Sequence, residues 1–258
     1  MNTLAALLVL AAAPPGPPAD LPTCPSTEDA PNTGKLLTRY EQVNQGHSSI
    51  AVMAMTIKTP AWSRKLTMKV WSKASDFALI RVLEGGPRET GMMTLKREKQ
   101  LWNWLPQAGR VMKLPSGMLG DSWLGSDFTN DDLVKGNSIA KDFDSKVDSL
   151  VEVDGRKAWR LVLTPHKDAV VVWNKIELDL DRTTCVPLAE RFYDEENKPM
   201  RQMLFSDVKQ VGWRAFPATM TVIPQEAGRQ TTIHYDSIEF DADISDDTFS
   251  LHRLQQGK

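Results

Sequence analysis

The chain has few of the residues that build metal sites. It contains two cysteines and four histidines among 258 residues, and no histidine has a partner at a metal-ligand spacing such as His-x-x-x-His. An acidic group in the middle of the chain lacks the alternating ligand positions of a calcium loop, and helix capping explains it. We therefore expect no metal and no cofactor. The histidines are His47, His166, His234 and His252, and the acidic group is Asp127, Asp131 and Asp132.

An excess of one charge and long apolar runs are also lacking. The net charge is −2 and the basic residues are scattered, so nothing favours a nucleic-acid partner. The apolar run at residues 4–13 is too short to span a bilayer and has the size of a signal-peptide core. We expect export to the periplasm, with a signal peptide over residues 1–19, a Pro-rich spacer over 20–33 and a single domain over 34–258.

The two cysteines leave three interpretations open. In an oxidising compartment, Cys24 and Cys185 can form one disulfide that closes a very long loop. Two unrelated thiols are an equally good interpretation. A third makes Cys24 a lipid anchor, because the residues before it have a faint similarity to a lipobox.

Residue patterns typical of catalysis are missing. The Gly-Ser-Asp of residues 125–127 lacks the second glycine and the preceding strand of a nucleophile elbow. The Gly-Gly of residues 85–86 is followed by Pro87, which does not suit a phosphate-binding helix start. We therefore expect a protein that is not an enzyme.

Hydrophobic periodicity predicts a mainly β (α+β) protein. Residues 31–46 have the pattern of one amphipathic helix, and most of the remaining chain consists of strand-length segments separated by turn signals. Short connections favour antiparallel pairing of consecutive strands. The order predicts a single, strongly curved antiparallel sheet with a few helices on its concave side. The segments are residues 50–59, 66–72, 77–83, 91–97, 100–105, 110–114, 146–153, 157–164, 170–181, 188–193, 200–208, 216–223 and 231–240, followed by a short helical turn at 244–249 in which Phe249 plugs one end.

One helix start interrupts the strands. Thr129 and Asp132 have the spacing of a capping box, in which each side chain satisfies a free backbone donor of the other residue. Gly136 follows as a residue suited to end the helix. Because so short a helix is unstable alone, we expect it to pack on the curved sheet as a lid.

Methionine and tryptophan are frequent, with eleven and eight copies. Methionine is flexible and polarizable, so it suits surfaces that accept varied apolar ligands, although an ordinary core uses the same residues. Both faces of the early strands are apolar, which predicts a sheet buried on one side and covered or ligand-facing on the other. The candidate cavity residues are Met53, Met55, Leu66, Met68, Phe77, Leu79, Trp102, Trp104, Met112, Trp123, Leu124, Phe128 and Leu133.

The central segment, LPSGMLGDSWLGSDFTNDDL at residues 114–133, closely resembles a signature of the bacterial outer membrane lipoprotein-sorting protein family, a LolA-like group. KIELDLD at 175–181, PLAERFY at 187–193 and residues 244–251 are similar to later parts of that family. The resemblance implies an unclosed half-barrel that encloses a hydrophobic cavity.

The same resemblance implies a function in outer membrane biogenesis. The expected protein is a periplasmic carrier that binds the acyl chains of a lipoprotein or lipid for transfer between the inner and outer membranes. An inner-membrane transporter and an outer-membrane acceptor are the implied partners, and we expect a monomer. The alternative is a non-catalytic periplasmic sensor or interaction module of the same fold that binds a lipoprotein or a membrane regulator.

Overall fold

The structure is a computed structural model that describes Cys24 and residues 31–135, 139–169 and 171–257. The expected signal peptide, most of the Pro-rich spacer and the helix-ending role of Gly136 lie outside the described residues. Four α-helices are described: α1 (Thr33–Gln45), α2 (Asn130–Lys135), α3 (Ile139–Asp142) and α4 (Leu251–Gln255).

The strands agree closely with the segments predicted from periodicity. They are β1 (Ser48–Lys58), β2 (Ser63–Lys73), β3 (Phe77–Glu84), β4 (Met93–Arg97), β5 (Gln100–Leu105), β6 (Arg110–Lys113), β7 (Phe143–Val153), β8 (Arg156–Pro165), β9 (Lys175–Asp181), β10 (Pro187–Tyr193), β11 (Pro199–Val211), β12 (Arg214–Pro224) and β13 (Gln230–Phe240). The prediction that β9 begins near residue 170 was wrong. The pairing with β10 begins with the hydrogen bond from the Asn174 N–H to the Tyr193 carbonyl. Residues 171–173, which precede it, lie outside the sheet.

The described strands form one antiparallel sheet in the order β6-β5-β4-β3-β2-β1-β13-β12-β11-β10-β9-β8-β7. Two meanders, β1 to β6 and β7 to β13, are therefore joined in the middle by the pairing of β1 with β13. The sheet is not closed, and β6 and β7 are its two edges. This confirms the predicted curved, unclosed half-barrel.

The position of the two edge strands determines where the intervening chain runs. Because β6 and β7 lie at opposite edges, the described residues 114–135 and 139–142 between them lead from one side of the sheet to the other. They do so over the concave, inner face, where Trp123 and Phe128 join the main core. We call residues 114–135 and 139–142 the crossing segment. It contains α2 and α3, and α1 packs beside α3.

Two apolar layers explain why both faces of the early strands are hydrophobic. The inner layer includes Met55, Leu66 and Met68, each fully buried under the crossing segment. The outer layer is a second cluster in which Leu79 packs with Phe249 and the C-terminal helix. Phe249 therefore covers the outer face beside Phe77, with ring centroids 5.7 Å apart, and the prediction that it plugs one end was wrong.

A disulfide joins Cys24 to Cys185, with a Cα–Cα distance of 5.5 Å. It ties the chain before α1 to the turn between β9 and β10, where Cys185 is fully buried. A cysteine in a disulfide cannot also carry a thioether-linked lipid, so the structure contradicts the lipid-anchor interpretation of Cys24.

We expect the disulfide to stabilise the fold, because it links residues 161 positions apart and restricts the unfolded chain. Reduction should lower the free energy of unfolding by about 2–5 kcal/mol in urea denaturation. The variant Cys24→Ala/Cys185→Ala should have the stability of the reduced protein and should not respond to reductant. Equal stability of the oxidised and reduced proteins would contradict this expectation.

Candidate functional site

A cavity of about 390 Å³ lies between the inner face of the sheet and the helices above it. Its size falls in the range of small-molecule sites, which are typically concave and mainly apolar. α1, α2 and α3 form the roof, and strands of both meanders form the floor and walls. Apolar lining residues come from both halves of the sheet, including Ala51, Val70, Ile80, Met203, Met220 and Ile233.

Some of the residues predicted from sequence line this cavity. They are Met53, Trp123, Phe128 and Leu133, together with Phe77, which borders the cavity while its ring packs on Phe249 at the outer face. Three of them belong to the crossing segment, which therefore contributes to the cavity directly. Their contact with a ligand stays a prediction.

The other candidates lie elsewhere. Met55, Leu66 and Met68 are buried in the inner core, and Leu124 packs against it. The outer-face cluster contains Leu79, with Trp102 and Trp104 packed on its edge. Met112 is exposed on the edge strand β6. Periodicity could not separate these groups, since each face of the early strands is apolar.

A network of polar contacts fixes the crossing segment on the sheet. The indole Nε1 of Trp123 donates to Thr94 Oγ1 of β4 at 3.2 Å, and the Arg64 guanidinium donates to the Leu124 carbonyl. Gly125 follows at φ +72°, and a Cβ there would lie 3.1 Å from the Arg64 guanidinium. A side chain at this position would be both strained and crowded, which explains the glycine of the Gly-Ser-Asp-Phe block.

The predicted capping box is present at the start of α2. The Thr129 N–H donates to Asp132 Oδ2 at 2.8 Å, and the Asp132 N–H donates to Thr129 Oγ1 at 3.2 Å. Asp132 also accepts two hydrogen bonds from Arg201 of β11, at 2.6 and 2.7 Å. Arg201 is almost fully buried, and its guanidinium lies over the ring of Trp173, 4.8 Å from the ring centroid.

Asp127 has a different role from the helix capping that the sequence predicts. It forms an ion pair with Arg229, and Thr231 Oγ1 donates to its Oδ2 at 2.6 Å. The Asp127 N–H donates in turn to Thr231 Oγ1. Asp127 thus anchors the crossing segment to the start of β13, a contact between distant residues that local spacing cannot reveal.

A buried carboxyl group lies in the cavity wall. Glu190 of β10 accepts a hydrogen bond from the Tyr40 hydroxyl of α1 at 2.9 Å. Burial raises the pKa of Glu190 from its usual 4.5 to about 7, although the Tyr40 hydrogen bond and the nearby Arg201 oppose the shift. This carboxyl therefore changes its charge near neutral pH.

A buried ammonium group lies in the same cavity wall. Lys96 of β4 is only 7% exposed, and burial lowers its pKa from 10.5 to about 8, with Asp76 opposing. Local sequence patterns did not point to Lys96, Glu190 or Arg201. Because side chains alternate along β4, Lys96 and Thr94 lie on one face of the strand and Met93 lies on the other. A polar face of this kind usually points to solvent. Here it faces inward.

Elsewhere, the described residues contain no group of three or more His, Cys, Asp or Glu side chains arranged to hold a metal ion. None of the helices in the described part of the chain has the length and hydrophobicity of a transmembrane span.

Comparisons with known proteins identify the architecture. The model of a family described as uncharacterized protein matches residues 75–256. No curated protein matches the chain. A crystal structure of a DUF1329 family protein from Desulfovibrio piger is 21% identical, with a TM-score of 0.78 over 85% of this chain and 96% of that one.

Two further solved structures have a similar fold. One is a domain from Vibrio parahaemolyticus described as an outer membrane lipoprotein-sorting protein domain, with 21% identity and a TM-score of 0.70 over 86% of this chain and 97% of that one. The other is a LolA superfamily protein from Nitrosomonas europaea, with 17% identity and a TM-score of 0.72 over 87% of this chain and 100% of that one. The chain has the LolA-like fold.

We expect Asp132→Asn to destabilise the protein by about 3 kcal/mol, because the buried Arg201 guanidinium would lose its carboxylate. Urea denaturation measures the loss, and a cycle with Arg201→Met should show coupling between the two positions. Asp121→Asn removes an exposed carboxylate from the same segment and is the matched control. Equal stability of the two asparagine variants would show that the ion pair does not hold the segment.

The raised pKa of Glu190 predicts a pH dependence of stability. Between pH 4.5 and about 7 the folded protein holds a proton that the unfolded chain has released. Stability should therefore be greatest below this range and fall by about 3 kcal/mol as the pH rises through it. Glu190→Gln, which keeps an acceptor for Tyr40, should lack this component, whereas exposed Glu195→Gln should retain it. Identical pH profiles of the Glu190→Gln variant and the wild-type protein would refute the assignment.

Proposed function

Since the chain belongs to the family described as uncharacterized protein and has the LolA-like fold, we propose that it is a non-enzymatic carrier that holds the apolar chain of a lipid or lipoprotein in its cavity. The single observation that carries the proposal is the cavity itself, which is enclosed by the curved sheet and roofed by the crossing segment. The structure described as an outer membrane lipoprotein-sorting protein domain supports the fold on which the proposal rests.

The energetics of an acyl chain favour this use of the cavity. Each methylene group moved from water to an apolar site contributes about 0.8 kcal/mol. Met53, Met203 and Met220 lie in the lining, and flexible thioether side chains adapt to chains of different shape. The affinity of such a carrier therefore rises with the length of the acyl chain and depends little on the chemical identity of that chain.

The disulfide supports an exported location for this carrier. Disulfides persist in oxidising compartments such as the bacterial periplasm and are rare in the cytosol. The pairing of Cys24 with Cys185 thus agrees with the proposed periplasmic site of action, between the donor and acceptor membranes.

Filling the cavity tests the proposal. Val70 lies in the cavity floor, and Val70→Trp should lower the affinity for the fluorescent apolar probe N-phenyl-1-naphthylamine by about tenfold or more, equivalent to about 1.4 kcal/mol. Val151→Trp places the same residue on β7, outside the cavity lining, and should bind the probe as the wild-type protein does. Urea denaturation of both variants controls for overpacking.

Two results would contradict the carrier function. The first is that the wild-type protein does not bind the probe. The second is equal binding by both tryptophan variants, which would place the probe outside the cavity. A protein that binds a membrane regulator stably, yet moves no labelled phospholipid between donor and acceptor vesicles, would be the interaction module and not the carrier.

A further inference from the structure

The inner face changes in character along the first meander. The strand register aligns side chains of β1, β2 and β3 in successive rows across the sheet. The side chains in these rows become smaller and more polar toward the turn between β2 and β3. In order they are Met53, Met68 and Val82, then Ala51, Val70 and Ile80, then Ser49, Ser72 and Ala78.

Lys96 of β4 pairs with Ala78 of β3 and so extends the polar row onto β4. The two serine hydroxyls of this row lie 2.8 Å apart, so one donates to the other and one hydroxyl hydrogen is left for another acceptor. The small side chains of Ser72 and Ala78 leave space at this end of the cavity, and both residues line it together with Lys96.

Lys96 differs from the other charged residues of the cavity wall. Asp132 pairs with Arg201, and Glu190 accepts from Tyr40. Asp131 and Asp142 also have partners. Within the described ranges, Lys96 has no ion pair and no hydrogen bond from its ammonium group, and Asp76 is the carboxylate whose charge acts on it.

A largely buried ammonium without a partner is unfavourable, because it has lost much of its hydration and has gained no compensating contact. An anion placed beside it would provide that contact, as charge-assisted hydrogen bonds are among the strongest polar contacts in proteins. With a pKa near 8, Lys96 is still mainly protonated at neutral pH. The apolar rows beside it suit the hydrocarbon part of the same molecule.

We propose that the ligand of this cavity is an amphiphile with an anionic carboxylate or phosphate headgroup, and that Lys96 binds this headgroup. The inference rests on the proposed carrier function and adds the chemical class and orientation of the cargo. The headgroup lies at the row of Ser49, Ser72 and Lys96, and the chain extends toward Met53.

Displacement of N-phenyl-1-naphthylamine measures the preference for an anion. The competing probes that displace it are dodecanoate, dodecyl phosphate and the uncharged dodecanol, which have the same chain length. Wild-type protein should bind the two anions more tightly than dodecanol. Lys96→Met should weaken both anions by about tenfold or more and leave dodecanol nearly unchanged.

Two matched variants test the role of the charge. Lys99→Met removes an exposed lysine three residues away on the same hairpin and should bind all three probes as the wild-type protein does. Lys96→Arg keeps a positive charge and should retain the anion preference. Circular dichroism and urea denaturation should show that Lys96→Met folds, because it removes a buried charge that lacks a partner.

The outcomes separate this inference from the carrier function. If dodecanol binds and Lys96→Met leaves anion affinity unchanged, the headgroup site is wrong and the carrier function stands. If neither dodecanol nor the fluorescent probe binds, both the headgroup site and the carrier function fail.

Inorganic phosphate alone should bind weakly, since it has no chain. Binding of inorganic phosphate as tight as that of dodecyl phosphate, and dependent on Lys96, would assign the site to a free anion and overturn the lipid headgroup.

Discussion

The ion pair between Arg201 and Asp132 is the contact on which the rest of the site depends. The two edges of the sheet lie far apart, so the chain that joins β6 to β7 has to cross the inner face. Without a fixed point this segment would be a long loop with a short, unstable helix. The Asp132 side chain has two roles, since it caps α2 and also pairs with Arg201 of β11. The roof of the cavity and the sheet beneath it thereby become one packed unit.

Polar groups inside this apolar layer carry a free-energy cost, and each is compensated differently. Arg201 has a carboxylate and an aromatic face, although its Nε lacks an acceptor in the described structure. Glu190 has the Tyr40 hydroxyl, and its pKa near 7 lets it become neutral rather than remain a buried charge. Among the described residues, Lys96 has no such contact, and the charge of Asp76 is what offsets part of its burial. The interior is therefore not a uniform hydrophobic core, since charged groups lie at defined places in the wall of the cavity.

The strands and the capping box could be predicted from sequence because both follow from local rules. Alternation marks nearly every strand, and the spacing of Thr129 and Asp132 is itself the signature of the cap. The cavity lining could not be predicted in the same way. Met53 and Met68 have the same residue type and face the same side, yet only Met53 reaches the cavity, because Met68 lies beneath the crossing segment. Lys96 was missed because the polar side of β4 faces inward, and only the pairing of distant strands determines this.

The arrangement of contacts also indicates which part of the molecule can move. The sheet is held by continuous backbone pairing across both meanders, so bending it open would disrupt many hydrogen bonds together. The crossing segment is held instead by a few side-chain contacts, among them Trp123 with Thr94 and Asp127 with Thr231. Opening the cavity at this segment would therefore break fewer contacts than opening it at the sheet, and the segment is also the part of the sequence with the most specific family resemblance.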